Sequence, residues 1–303
     1  KGLSFYDFIK SYGTESQCHS ELEKLRWPKG FNCPRCSSNR HCKLSRGDYE
    51  CNSCGKQTSL TSGSIFHSTK LPLTKWFLAI HLMTQSKNGI SQLELSRQVG
   101  VSKNTGALLY HKIANVMLTR EQDKPLSGNI ELDDAYWGGK KKGKRGRGST
   151  NKTPFVAAVQ KREGKPHQIK LSVIKRFSKK EISLWANQNL TADSKVLSDG
   201  LNCFPAVKEA GCFHESIIVG NSSNPEITVK FNWVNTILGN IKTALSGTFH
   251  KLESGHLKRH LATFSYRFNR RYRLEKMISR FTYIAARTNP FPRRLMTIPG
   301  YSG

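Results

Sequence analysis

The chain has 303 residues, with 49 lysines and arginines against 21 aspartates and glutamates, and a formal net charge of +28. A charge that far from zero points to a polyanion, because each neutralised phosphate releases condensed counterions, so nucleic acid is the expected partner. No apolar run approaches the roughly 18–20 residues of a membrane-spanning helix and no signal peptide is visible, so the chain reads as intracellular.

Residues up to about 60 hold cysteines among polar turn residues. Cys33-Pro34-Arg35-Cys36 and Cys51-Asn52-Ser53-Cys54 form two CxxC knuckles with 14 residues between them. Four thiolates on two tight turns suit the tetrahedral preference of Zn²⁺, and the flanking text reads as a zinc ribbon in which each knuckle opens a hairpin. Four ligands leave no open position, so this single zinc is structural. His41 and Cys42 lie between the knuckles but are not expected to bind, since Cys42 has no paired partner. Cys18, Cys42, Cys203 and Cys212 are scattered, as free thiols in a reducing compartment would be.

From about 70 to 120 the apolar spacing is helical. Leu73 to Met83 sets Trp76, Phe77, Ile80 and Met83 on one face and is the predicted first helix of a small bundle. Ile90 to Val99 is the second, Gly100-Val101 the turn, and Ser102 caps a third that runs to about Met117. Val101, Leu108, Ile113 and Val116 form its predicted core side. Lys103, Asn104, Thr105 and, further along, His111 are left toward solvent, with the first three where a recognition helix meets base edges.

After the joint from Lys124 to Asn129 the text turns to strands: Asn129 to Gly139, Thr153 to Gln160, and Gln168 to Lys175, the last alternating with a period of two. Ser178 and Glu181 make a capping box for a helix, Ser194 to Gly200 and Glu215 to Gly220 return to strands, and Phe231 onward is mostly helical. That order builds a mixed sheet covered by helices, so the chain as a whole is multidomain α/β. The expected divisions are 1–60 (ribbon with its N-terminal flank), 61–125 (helix-turn-helix) and 126–303 (the α/β domain with a helical C-terminal part).

In a chain so poor in carboxylates, acids on apolar strands carry weight. Asp133 or Asp134 on the first strand and Asp199 on the fourth can meet at the sheet and hold two Mg²⁺ ions about 4 Å apart, as phosphoryl chemistry uses them. The segment Lys230 to Gly247 offers no carboxylate, but Asn235 and Lys242 stand seven residues apart, nearly two helical turns, and share a face. An asparagine oxygen can ligate Mg²⁺, and a lysine beside it can hold a phosphate. The loop GGKKKGKRGRG interleaves Lys140, Lys141, Lys142, Lys144, Arg145 and Arg147 with glycines and reads as a DNA grip near the site. The stretch from Tyr266 to Arg273 mixes aromatic and basic residues and can track a backbone, although Tyr266 and Phe268 suit a core equally well.

Taken in order, the segments CPRC…CNSCGKQTSLTSGSIFHSTKLPLTKWF, ELDDAYWGGKKKGKRGRG, LSDG, WVNTILGNIK and HLKRHLATFSYRFNRR make nearly the whole chain resemble the bacterial zinc-ribbon insertion-sequence transposases related to the eukaryotic Merlin transposons. The resemblance implies an RNase H-like catalytic domain in which Asp133, Asp199 and Asn235 hold two Mg²⁺ or Mn²⁺ ions and Lys242 follows as the basic residue. It prefers Asp133 to Asp134, since the family's first aspartate directly follows an apolar residue, here Leu132. It implies metal-dependent cleavage and strand transfer at terminal inverted repeats, on double-stranded DNA, by a homodimer or larger assembly in a bacterial cytoplasm, at the nucleoid. Asn235 departs from the commoner glutamate and removes one negative charge. An inactive DNA-binding regulator derived from such an enzyme, or an RNase H-like nuclease, are the alternatives.

Overall fold

The computed structural model describes residues 2–138, 152–217, 231–249, 252 and 254–296. The three divisions expected above follow motifs; by contact the chain forms two compact units, Lys1–Val116 with Arg270–Thr297, and Met117–Asn269.

The first unit begins with two helices that the sequence reading passed over, α1 (Phe5–Tyr12) and α2 (Glu15–Arg26). Ser4 caps the first, and Thr14 with Gln17 forms a reciprocal capping box at the second. The ribbon follows as an antiparallel sheet in the order β1 (His41–Lys43), β2 (Tyr49–Cys51), β3 (Gln57–Thr58). So small a sheet buries little, and Trp27, Phe31, His41 and Tyr49 cluster beside it in edge-on, tilted and stacked pairs, with ring centroids 4.7–5.7 Å apart.

The helical bundle consists of α3 (Leu73–Gln85), α4 (Gln92–Val99) and α5 (Lys103–Gln122). Trp76, Phe77, Ile80 and Met83 are all buried, as the spacing predicts. The expected core side of α5 is half right: Ile113 and Val116 are buried, whereas Val101 and Leu108 are only half-buried and Leu109 and Tyr110 go inside instead. Gly100 takes the left-handed conformation (φ +66°) that ends α4 and turns the chain. Gly106 has a different task. A Cβ there would lie 2.5 Å from Ser96 Cβ, so its absence is what lets α5 cross so close to α4.

In the second unit the sheet runs β6 (Lys165–Val173), β5 (Thr153–Arg162), β4 (Asn129–Trp137), β7 (Lys195–Asp199), β8 (Phe213–Ile217). β4, β5 and β6 form an antiparallel meander, while β7 and β8 add in parallel. Three antiparallel strands followed by two parallel ones make the mixed sheet that the order of elements implies. Strand alternation sends Ile130, Leu132, Val156, Ala158 and Val196 to a core with α6 (Lys179–Asn189) and a 3-10 helix, Phe204–Ala210. Ala135, Phe155, Ala157, Val159 and Leu197 go to the opposite core, with α7 (Asn232–Thr248) and α8 (Ser254–Phe268). Two helical layers thus sandwich the sheet.

Beyond Arg270, α9 (Met277–Ala285) and a short α10 (Arg293–Met296) belong to the first unit. The last residues of the strand expected at Glu215 to Gly220, and all of the GGKKKGKRGRG basic residues, lie outside the described residues.

Candidate active site and metal centres

The two CxxC knuckles are built alike. In each, the first cysteine's carbonyl accepts from the N–H four residues on, Ser37 in one and Gly55 in the other. Both of those residues have positive φ, +58° and +66°. The turns bring Cys33, Cys36, Cys51 and Cys54 together with their sulfurs within 4.8 Å of one another. Zn–S bonds of about 2.3 Å in a tetrahedron set sulfurs about 3.8 Å apart. Cys33 Sγ to Cys54 Sγ is 3.6 Å and Cys36 Sγ to Cys51 Sγ is 3.5 Å, so the set fits zinc. A disulfide would need about 2.05 Å. Desolvation opposes the Cys51 thiolate, yet the N–H groups of Ser53 and Cys54 and the neighbouring thiols bring its pKa down to about 6. His41 stacks on Phe31 and hydrogen-bonds Asn39, and Cys42 is exposed, so neither joins the cluster.

The carboxylates meet at the C-terminal ends of β4 and β7. Leu132 pairs with Ser198 in the parallel register, which puts Asp133 and Asp199 side by side. Both follow the odd-numbered alternation of Ala135 and Leu197, toward the α7 core. Asp134 belongs by alternation to the other face, but at the strand end its carboxylate falls within the same 4.8 Å cluster as Asp133 and Asp199. Sequence reasoning set Asp134 aside; the sheet geometry brings it in.

Electrostatics mark the cluster as a cation site. Burial pushes the Asp133 carboxyl up to about 7, and the like charges of Asp199 and Asp134 add to that; the Asp134 N–H and the positive charge of Lys242 pull the other way. Asp133 Oδ1 accepts that N–H at 2.8 Å, and Asp199 Oδ1 accepts from the Leu201 N–H at 3.2 Å, so each has an oriented carboxylate. Three acids crowded at one spot repel one another unless a cation sits among them, and oxygen donors at this spacing suit Mg²⁺ or Mn²⁺.

Asn235 and Lys242 are both exposed on α7. Asn235 Nδ2 donates to the Phe231 carbonyl at 3.0 Å, which fixes the amide and turns its Oδ1 away from the helix backbone. The influence of Lys242 on Asp133 places its charge near the cluster.

A residue that sequence reasoning missed fixes α7 itself. Glu131, two positions before Asp133 on the same face of β4, is fully buried. Its Oε2 accepts the Val234 N–H at 2.9 Å, in the first turn of α7, where a negative charge also complements the helix dipole. Lys161 Nζ lies 3.1 Å from Oε1, close enough for an ion pair though off-axis for a hydrogen bond. An acid at an inward strand position, with a lysine diagonal to it on the neighbouring strand, was the available signal.

In the helix-turn-helix, Lys103 and Asn104 are exposed at the start of α5. Thr105 is half-buried, and Ser102 holds its hydroxyl at 2.9 Å. His111, expected toward solvent, is instead buried with Nε2 3.1 Å from Gln92 Nε2, because the third turn of α5 faces α4. In the stretch from Tyr266 to Arg273, Tyr266 is core and Tyr272 is exposed, with the Arg271 guanidinium over its ring.

Residues 125–269 match the family model of the ISXO2-like transposase domain, and residues 13–57 that of the transposase zinc-ribbon domain. A relative described as an uncharacterized protein in transposable element ISH50 of Halobacterium salinarum is 24% identical over 233 residues, 70% of this chain and 76% of that one. Among solved structures, the Mos1 strand transfer complex is 10% identical, covering 71% of this chain and 79% of that one, with a TM-score of 0.22. A pre-cleavage Mos1 transpososome is 8% identical, covering 70% and 79%, also with a TM-score of 0.22.

Proposed function

We propose that this chain is an insertion-sequence transposase, a reading supported by its matches to the ISXO2-like transposase domain and the transposase zinc-ribbon domain, and that it binds terminal inverted repeats and catalyses metal-dependent DNA cleavage and strand transfer. The observation that carries the reading is the pairing of Asp133 with Asp199 on adjacent parallel strands, within reach of the charge of Lys242.

Asp133, Asp199 and the Asn235 Oδ1 are the ligands in this reading, and Lys242 neutralises the phosphate being attacked. Two Mg²⁺ or Mn²⁺ ions held there would activate water, and then the freed 3′-hydroxyl, for in-line displacement at phosphorus. Asp133 accepts cations best as a carboxylate, so its raised pKa makes loading weaker in acid. Lys103, Asn104 and Thr105 read base edges, Lys140, Lys141, Lys142, Lys144, Arg145 and Arg147 grip the backbone, and the ribbon zinc only holds its fold. Two element ends in one complex call for a homodimer or larger assembly on double-stranded DNA, which in a bacterium lies in the nucleoid.

Cleavage and joining of labelled element-end DNA, in Mg²⁺ or Mn²⁺, tests the reading with the native chain, Asp199→Ala and Asn235→Glu. Joined products that vanish in Asp199→Ala support it. Tight binding with no cleavage in either metal would overturn it in favour of a DNA-binding regulator, and activity regained by Asn235→Glu would trace the loss to the asparagine. Cleavage without joining would leave a nuclease.

A further inference from the structure

Three buried polar groups of the second unit have no internal partner, and their residues line one cavity. Lys170 on β6, Trp185 on α6 and Ser265 on α8 are 6%, 5% and 2% exposed, and Lys170 Nζ, Trp185 Nε1 and Ser265 Oγ each lack a hydrogen-bond partner. The cavity, about 840 Å³, opens along the free edge of β6, between α6 and α8. It is within the size range of small-ligand sites.

An ammonium and an indole N–H can only donate, and although Glu121 and Glu181 line the same cavity, neither accepts from these donors; Lys170, Lys175 and Lys258 outnumber the two carboxylates, which leaves the wall with positive charge and donors to spare. A buried ammonium without an acceptor is costly. Lys258 stands in the same wall, and burial lowers the pKa of both lysines, that of Lys170 to about 8 against the opposing pull of Glu121 and Asp123. Two lysines, an indole N–H and a hydroxyl match the several acceptor oxygens of a phosphate. Leu184, 52% exposed on α6, and Trp185 give the same cavity an apolar wall of the kind a base packs on.

We propose that this cavity holds one nucleotide of an unpaired DNA strand, its phosphate on Lys170 and Lys258 and its base along Leu184 and Trp185. Rotation about the last torsions of Lys170 carries its ammonium from the wall into the lumen. The choice of a DNA strand as the source rests on the transposase reading; the phosphate chemistry does not. Nothing in it involves Asp133, Asp199 or a divalent metal.

The test is calorimetric titration of the zinc-loaded full chain, without Mg²⁺, with 5′-phosphorylated hexathymidylate, in the native form and in Lys170→Met, Ser265→Ala and Lys180→Met. Lys180 is exposed at the start of α6 and serves as a charge-matched control. Lys170→Met should weaken binding about tenfold and Ser265→Ala about threefold, against twofold or less for Lys180→Met, and Lys170→Met should melt no lower than the native chain. Equal affinity in Lys170→Met and Lys180→Met overturns the site. Inorganic phosphate that binds through Lys170 but is not displaced by the oligonucleotide overturns the DNA source. Strand joining with an unaltered Lys170→Met titration retires this pocket alone, whereas Lys170-dependent binding without any cleavage retires the catalytic reading and leaves the pocket standing.

Discussion

Replacing Asp133 with asparagine should stabilise the metal-free protein while abolishing its chemistry. Asp133 carries a folded-state pKa of about 7 against an ordinary value of 3.8. The folded state therefore binds this proton more tightly than the unfolded state, and the stability present below pH 4 is lost as the pH rises through 7. Three units at 1.36 kcal/mol each set a ceiling of about 4 kcal/mol, and the partial exposure of the carboxylate brings the working figure to about 2 kcal/mol. Asparagine keeps an acceptor for the Asp134 N–H and carries no charge. Melting curves of zinc-loaded protein without added Mg²⁺, from pH 5 to 8.5, should give a gap between Asp133→Asn and the native chain that widens up to pH 7 and then levels, at about 4–8 °C. Added Mg²⁺ should close the gap at pH 8 by stabilising the native chain only. A gap that does not change with pH, or a variant that melts lower at pH 8, would refute the account of Asp133 as a carboxylate held against its neighbours' charge.

Glu131→Ala should cost about 3–5 kcal/mol, since it strands Lys161 and the Val234 N–H, while Glu131→Gln, which keeps an acceptor, should cost less; chemical denaturation of the two variants checks the order. Gly106→Val should destabilise the bundle by about 1–3 kcal/mol and weaken duplex binding, because its Cβ meets Ser96 at 2.5 Å; circular dichroism melts and a mobility-shift assay read both effects. Zinc chelation, or Cys51→Ser, should unfold the ribbon and release one equivalent of zinc per chain, measurable with a colorimetric zinc indicator, and the same treatment should leave the sheet signal of the second unit unchanged.

Much of this protein is local and could be read in one dimension. Two CxxC pairs announce their metal because a knuckle is a short turn, and four thiolates have few other reasons to be so spaced. The meander and the cap at Ser178 follow from strand alternation and side-chain hydrogen bonding within a few residues. What needed the folded chain was decided between segments far apart in sequence. Asp133 and Asp199 are 66 positions apart and meet only because β7 pairs in parallel with β4. Asp134 joins them although its alternation assigns it to the other face, and Glu131 looked like an ordinary strand residue until Val234, more than 100 positions on, gave it an N–H to accept. His111 turned inward and Leu108 partly outward because the close crossing at Gly106, not the helical period alone, sets which side of α5 faces α4. The sequence determined which side chains could do chemistry; the tertiary structure decided which of them share a solvent-poor space, where like charges raise a pKa and an unpaired donor waits for a ligand.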